Sequence, residues 1–323
     1  RIGAVLIVGG PDVVPFHKLP NPTDDSDPEV VSDNPYATLD TNYFIPEWPV
    51  GRLPGEIGPD AGLLMDQLRK AISYHSSQAY LPLRWWVRAW MLLRQLQPKS
   101  KKTAPRPPFG MTAAAWQRSS SEVWRLNGDK RTLVTCPPEG TETVDPVEVS
   151  AASLGYFNLH GVEDGAEWYG QRDPADQSPG ADYPVALSPH NLIKNGTAPK
   201  VVFSEACYGG QVDGKREAEA ISLRFLAIGT HAVVGSTCVA YGSVAAPLIG
   251  ADLLGSLFWK HLQAGMTAGE ALMQAKIDSV REMNRRQGFL DGEDQKTLLS
   301  FVLYGDPLVS LAGFQKGTRS LPR

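Results

Sequence analysis

Short apolar runs with the look of buried strands alternate with longer stretches of helical period along the 323-residue chain. IGAVLIVGG (2–10), RTLVTC (131–136), LGYFNLH (154–160), KVVFSEAC (200–207) and THAVVGSTC (230–238) are apolar almost throughout, as strands covered on both faces are. LLSFVLYGDPLVSL (298–311) closes the series with another strand, and NYFIPEWPVGRLP (42–54) predicts a short, proline-limited strand pair. Between them, 60–80 spaces Leu63, Leu64, Leu68, Ile72 and Tyr74 at helical period. TAAAWQRSSSEVWRLNG (112–128) predicts a helix capped by Thr112 and stopped at Gly128. Further helices are expected over 217–229, about 245–264 and 268–286, and 85–96 is one more apolar run. The alternation predicts a mostly parallel sheet with helices on both faces, built as a single α/β domain over residues 1–323. The polar segments 21–40 and 98–110, the second basic and proline-rich, are the expected exposed loops.

Composition removes several classes of function. The net charge is −4 with 20% charged residues and no basic stripe, so direct nucleic-acid binding is not expected. The longest apolar stretch, 232–259, is broken by Gly, Ser, Thr, Pro and Asp and predicts a strand and a helix, not a membrane span. Three cysteines make no disulfide framework, which favours a reducing, cytoplasmic setting over secretion. The chain opens on RIGAVLIVGG, without an initiator Met or a signal-peptide cleavage site, and is expected to be a fragment or processed product.

Chemistry concentrates at two strand ends. LGYFNLHG ends in His160 and Gly161, and VVFSEACYGG ends in Cys207, Tyr208 and two glycines. Functional groups in parallel sheets gather beyond the carboxyl ends of the strands, so neighbouring strands would bring thiol and imidazole to one edge. Cys207 is then the candidate nucleophile and His160 the candidate general acid/base. Backbone N–H groups of Cys207 and Gly161 are the candidate oxyanion hole, where one such donor is worth about 3–4 kcal/mol in the transition state. Cys136 and Cys238 lie in strands without glycine flanks and are expected to be core residues. No Cys/His cluster has zinc-ligand spacing, and the glycines at 9–10 lack the GK[ST] of a phosphate loop. A flavodoxin-like nucleotide site therefore finds no support.

FNLHG and FSEACYGG also resemble the signature of the caspase-like clan of cysteine peptidases, which includes caspases, legumain, clostripain, separase and the gingipains. AVLIVGGPDVVP, SDNPYATLDTNYFIPEWPVGRLP, HGVEDGAEWYG, GSTCVAYGSVAAP and YGDPLVSL resemble, in order, segments of the gingipain (C25) family from about residue 2 to 310. The resemblance implies a caspase-like αβα sandwich, peptide-bond hydrolysis through an acyl-enzyme, and a protein or peptide as substrate. It also implies that Glu205, two residues before Cys207, lines the S1 pocket, with Asn158 and Tyr241 as further S1 candidates. A carboxylate there suits Arg or Lys at P1, although legumain carries Glu at this position and prefers Asn. Glu163 is a candidate for orienting the imidazole, against a plain solvated loop acid, and Trp168 and Tyr169 are candidate cleft walls. No cofactor is expected. The acidic run at 24–27 is the one candidate for calcium, which gingipains bind, against a simple acidic turn. Clan members are often matured by cuts in exposed loops, which makes Lys99, Lys101, Lys102, Arg106, Lys215 and Arg216 candidate processing sites. Many are also held in larger assemblies, so a regulatory partner is expected, and the alternative reading is a conditionally active or idle caspase-like interaction module.

Overall fold

The computed structural model describes residues 2–78, 106–129 and 132–313. Among them an eight-stranded sheet is formed by β1 (Val5–Val8), β4 (Val50–Leu53), β5 (Phe109–Ala113), β6 (Leu133–Cys136), β7 (Gly155–Asn158), β11 (Val201–Ser204), β12 (Ala232–Ser236) and β13 (Phe301–Gly305). Their spatial order is β1-β4-β13-β12-β11-β7-β5-β6. Every neighbouring pair is parallel except β12 with β13. Five strands, β12 to β6, therefore share one direction and present their carboxyl ends along a common edge. Two small antiparallel sheets lie outside: β2 (His17–Pro20) with β3 (Glu29–Ser32), and β8 (His160–Gly161), β9 (Trp168–Tyr169) and β10 (Val185–Leu187).

Alternating side chains of each strand feed two cores. Phe157, Val202, Val233 and Val302 pack on one face with α4 (Ile221–Ile228) and with Leu63 of α1 (Gly62–Gln78). Tyr156, Val201, Phe203, Val234 and Leu303 pack on the other. That second face is covered by α2 (Gln117–Trp124), α5 (Gly250–Gln263) and α6 (Ala268–Gln287), and Phe203 meets Phe258 of α5 at 5.2 Å between ring centroids. Burying a side chain of this size is worth about 2–3 kcal/mol. The short α3 (Pro146–Ala151) starts from Asp145, whose side chain accepts the Val147 N–H. The last helix, α7 (Gly292–Ser300), runs straight into β13.

The layered α/β sandwich agrees with the pattern, and local differences have local causes. Residues 42–54 form one strand, not a pair: β4 lies between β1 and β13, parallel to both, and the prolines confine it to Val50–Leu53. Thr112 does not cap a helix; it lies in β5, and its hydroxyl shares a 2.7 Å hydrogen bond with Ser120 of α2. Residues 298–300, expected in the final strand, complete α7. Phe109 and Gly110 already belong to β5 where a loop is predicted, while the apolar run 85–96 and residues 98–105 of the basic loop, with Lys99, Lys101 and Lys102, lie outside the described residues.

Candidate active site

β7 and β11 are parallel neighbours, with Ser204 in register with Phe157 and the Glu205 N–H donating to the Phe157 carbonyl at 2.8 Å. The strands leave the sheet side by side, so His160 and Cys207 emerge on the same edge. The join between the two exits is a backbone contact. A Cβ placed on Gly161 would stand 2.0 Å from the Cys207 carbonyl oxygen. Only glycine allows β8 to lie this close to the cysteine loop, so any side chain at 161 would separate the imidazole from the thiol.

The two glycines after Cys207 serve proximity too. Neither takes up a left-handed conformation; that falls to Tyr208, with φ of 54°. A side chain is strained there, and Tyr208 is held by its N–H to the Cys238 carbonyl (2.9 Å) and its hydroxyl to Asp27 (2.6 Å). At Gly210 an added Cβ would meet the Gly235 carbonyl oxygen at 2.7 Å, because the loop turns back against β12. The Gly210 N–H donates to Ser236 there, and its carbonyl accepts the Tyr304 hydroxyl.

The Cys207 thiol is half-buried. Its sulfur accepts the Ala240 N–H at 3.3 Å and lies 3.6 Å from the Ala240 carbonyl oxygen. Burial pushes its pKa up, opposed by the N–H groups of Ala240 and of Cys207 itself, which face the sulfur. Cys136 and Cys238 are buried more completely and are pushed up to about 11 and about 12. His160 is pushed down by burial, opposed by its hydrogen bond from Nε2 to the Gln171 Oε1 at 2.9 Å. Its ring lies between Trp116 at 4.3 Å and Tyr183 at 5.4 Å. Imidazole and thiol share no hydrogen bond in this conformation. Burial favours the uncharged form of both groups, and catalytic hydrogen bonds commonly tighten only around substrate.

Gln171, not Glu163, is therefore the group that meets the imidazole. Glu163 lies on an exposed turn past β8, where its backbone carbonyl accepts Lys215 Nζ at 2.7 Å. Trp168 is buried against Phe157 at 5.4 Å, a core role, and the Tyr169 hydroxyl donates to Glu167 at 3.2 Å.

Glu205 and Asn158 are each 5% exposed and point beneath the strand ends. The Glu205 carboxyl interacts with the Tyr156 hydroxyl and with another carboxyl beside it. That second acid is Asp252, in the first turn of α5. Asp252 accepts the Ser243 N–H at 2.6 Å and the Asn158 Nδ2 at 3.3 Å, and Asn158 also donates to Ser120 at 3.0 Å. Burial, with Asp252 alongside, holds the Glu205 carboxyl far above its ordinary range; burial pushes Asp252 up to about 6, against the Ser243 N–H. Among the described residues no lysine, arginine or histidine pairs with either acid.

Tyr241 points elsewhere, its hydroxyl donating to Asp25 at 2.5 Å. Asp25 and Asp27 of the acidic run both accept from Lys296, whose side chain is fully buried, and Asp27 also takes the Val239 N–H at 2.9 Å. Two of the carboxylates considered for calcium thus share one ammonium of the chain itself. Among the described residues no group of three or more His, Cys, Asp or Glu could hold a metal ion, and no helix is long and apolar enough to cross a membrane. Gln171, Trp116, Ser120 and Asp252 carry no sequence signal: each is brought to the site by topology from a segment without a motif.

Comparison with solved structures places this arrangement among known folds. The complex of Porphyromonas gingivalis RgpB pro- and mature domains superposes with a TM-score of 0.61 at 16% identity, over 96% of this chain and 66% of that one. The Arg-specific cysteine proteinase gingipain R (RgpB) gives 0.59 at 15% identity, over 96% and 64%. This chain thus spans just under two thirds of the length of these solved relatives, and the likeness establishes the caspase-like fold. Among curated proteins none matches. The family model described as peptidase family C25 matches residues 1–312, nearly the whole sequence, and the chain belongs to that family of cysteine-type peptidases.

Proposed function

We propose that this protein is a cysteine endopeptidase in which Cys207 is the nucleophile and His160 the general acid/base. The observation that carries the reading is the junction of the two strand exits, where Gly161 packs against the Cys207 carbonyl and fixes the imidazole strand to the thiol loop. In the reaction His160 takes the thiol proton while sulfur attacks the scissile carbonyl. Backbone N–H groups of Cys207 and Gly161 receive the developing oxyanion. His160 returns the proton to the leaving amine, and water, deprotonated by the same imidazole, hydrolyses the thioester. Trp116 and Tyr183 keep the imidazole ring in place, and Gln171 fixes its orientation.

The finer reading is cleavage after Arg or Lys, with Glu205 as the acid behind the nucleophile. Its support is a buried carboxylate without a cationic partner, together with the Arg specificity printed for gingipain R. Control by a partner or by processing is the second part, supported by the pro-domain bound to RgpB and by a thiol engaged with Ala240 instead of His160. That engagement is also what favours the alternative, a conditionally active interaction module. Fluorogenic peptides with Arg, Lys, Asn, Asp or Leu at P1, offered to wild type and Cys207→Ala, separate these readings. Cleavage after Arg or Lys that disappears in the variant is expected. Cleavage after Asn or Leu alone retains the mechanism and overturns the basic preference. Silence on every peptide with an ordinary thiol reactivity overturns the peptidase reading.

A further inference from the structure

The β2–β3 hairpin has no part in the chemistry above, yet its connecting loop reaches the segments that carry and hold the thiol. Asp27 of that loop is buried, and its two carboxylate oxygens serve different partners. Oδ1 accepts the Tyr208 hydroxyl at 2.6 Å, and Oδ2 accepts the Val239 N–H at 2.9 Å and Lys296 Nζ at 2.5 Å. Tyr208 follows Cys207 directly, and Val239 precedes Ala240, whose N–H donates to the Cys207 sulfur at 3.3 Å. One carboxylate therefore joins the chain on both sides of a single N–H to sulfur contact. The loop is itself tied down. Asn21 Nδ2 donates to Asp25 Oδ1 and to the Asp27 carbonyl, each at 2.8 Å, and the Asp27 N–H donates to Asp25 Oδ1 at 3.0 Å. In β3 the Val31 carbonyl accepts the Thr237 hydroxyl, and the Ser32 hydroxyl donates to the Leu299 carbonyl of α7, both at 2.7 Å. The Tyr208 ring packs with Leu19, Val30, Cys238 and Leu299 in a small apolar cluster.

We infer that Asp27 is a positioning residue for Cys207: by holding the Tyr208 hydroxyl and the Val239 N–H together it keeps the Ala240 N–H aimed at the sulfur, where that donor stabilises the attacking thiolate. This rests on the peptidase reading above. The thiolate is the nucleophilic form of a cysteine, and a hydrogen bond to a charged acceptor is stronger than one between neutral groups. Two N–H groups face the sulfur, those of Ala240 and of Cys207 itself. The second is also the oxyanion donor, which leaves Ala240 as the donor for sulfur alone. Tyr208 holds a left-handed backbone that a side chain resists, so its hydroxyl anchor also retains the turn that presents the thiol. Charge and position act in opposite directions here. The negative charge of Asp27 disfavours a nearby thiolate, and the Lys296 ammonium favours it. The buried lysine thus opposes the field of the carboxylate while the carboxylate keeps its hold on both segments.

The test is the rate of iodoacetamide alkylation of Cys207, followed by mass spectrometry across the neutral and alkaline pH range, in wild type, Asp27→Asn and Tyr208→Phe. Asp27 and Lys296 are the charged groups that act on the thiol, with Tyr208 beside it and His160 on the neighbouring strand exit. Asp27→Asn is expected to shift the rate profile upward by about one pH unit and to slow alkylation at neutral pH about 5-fold, the loss of thiolate being partly offset by a more nucleophilic sulfur. A residue that acted through its charge alone, or that merely kept the loop folded over the thiol, would give the opposite sign on removal, since a nearby negative charge and burial both raise the thiol. A downward shift, or none, overturns the inference and leaves the peptidase reading intact. A wild-type Cys207 that reacts no faster than glutathione overturns both. Should Asp27→Asn not fold, Tyr208→Phe decides, because it keeps the ring in its cluster and removes only the anchor. It is expected to shift the profile in the same direction, with about a 3-fold loss at neutral pH, and an unchanged profile overturns the inference.

Discussion

Two pairs of buried or half-buried acids flank the Cys207 loop, and they are built oppositely. On one side Asp25 and Asp27 close around the fully buried Lys296 and tie down Tyr241, Tyr208 and the Val239 N–H. On the other, Glu205 and Asp252 face each other with no cation among the described residues. The first pair shares one buried ammonium and works as a clasp that holds the segments on either side of the thiol. The second has no counter-charge among the described residues, and burial raises both of its carboxyls. A buried acid is therefore informative only together with its partner: beside a cation its pKa falls, and beside a second acid it rises.

The largest effect that would break this contrast is removal of the lysine. Lys296→Met leaves two carboxylates without their counter-charge and is expected to cost about 3–5 kcal/mol in urea unfolding. A loss below 1 kcal/mol would show that the clasp carries no charge balance. Next comes the pH dependence, which should have opposite signs on the two sides. Burial pushes Asp25 up, but hydrogen bonds from Lys296 and Tyr241 outweigh it and hold the carboxyl well below its ordinary value. Its contribution is present above the unfolded value of 3.8 and lost as pH falls. Asp252, raised to about 6, binds its proton more tightly when folded. Its cost is absent below the unfolded value, grows as pH rises from about 4 to 6, and is constant above. The span is about 3 kcal/mol, two pH units at 1.36 kcal/mol each. Asp252→Asn should therefore be more stable than wild type at pH 7.5, with the advantage gone at pH 4. Equal stabilities at both pH values would mean that the acid is solvated in solution. The smallest effect is Tyr208→Phe, which removes one hydroxyl from Asp27 and should cost about 1.5 kcal/mol, because Lys296 and the Val239 N–H still hold that carboxylate.

What the sequence made legible was local. Apolar runs marked β7, β11, β12 and β13, and His160-Gly161 and Cys207 stood at strand ends where the structure brings them together. Periodicity cannot see which strands are neighbours or which distant side chain reaches under them. Asp252 opens a helix far along the chain and reads as an ordinary first-turn acid, yet it meets Asn158 across 94 residues. Gln171 lies in a polar loop with nothing to distinguish it, and only the β8–β9 hairpin turns it back onto His160. The glycines after Cys207 were visible, but their reason was not. They permit close backbone packing against β12, while the left-handed turn is made by Tyr208. Thr112 shows the converse, a residue with helix-cap chemistry drawn into a strand because β5 pairs on both sides, with β6 and β7.

The central claim, a reactive thiol served by His160 and an acidic pocket, is tested most directly by mass spectrometry of the protein after brief exposure to a peptidyl chloromethyl ketone with Arg at P1. The account predicts one adduct, on Cys207, with Cys136 and Cys238 unmodified, and labelling that slows sharply in His160→Ala. Labelling spread over the three cysteines, or labelling of Cys207 at the same rate in both proteins, would contradict it.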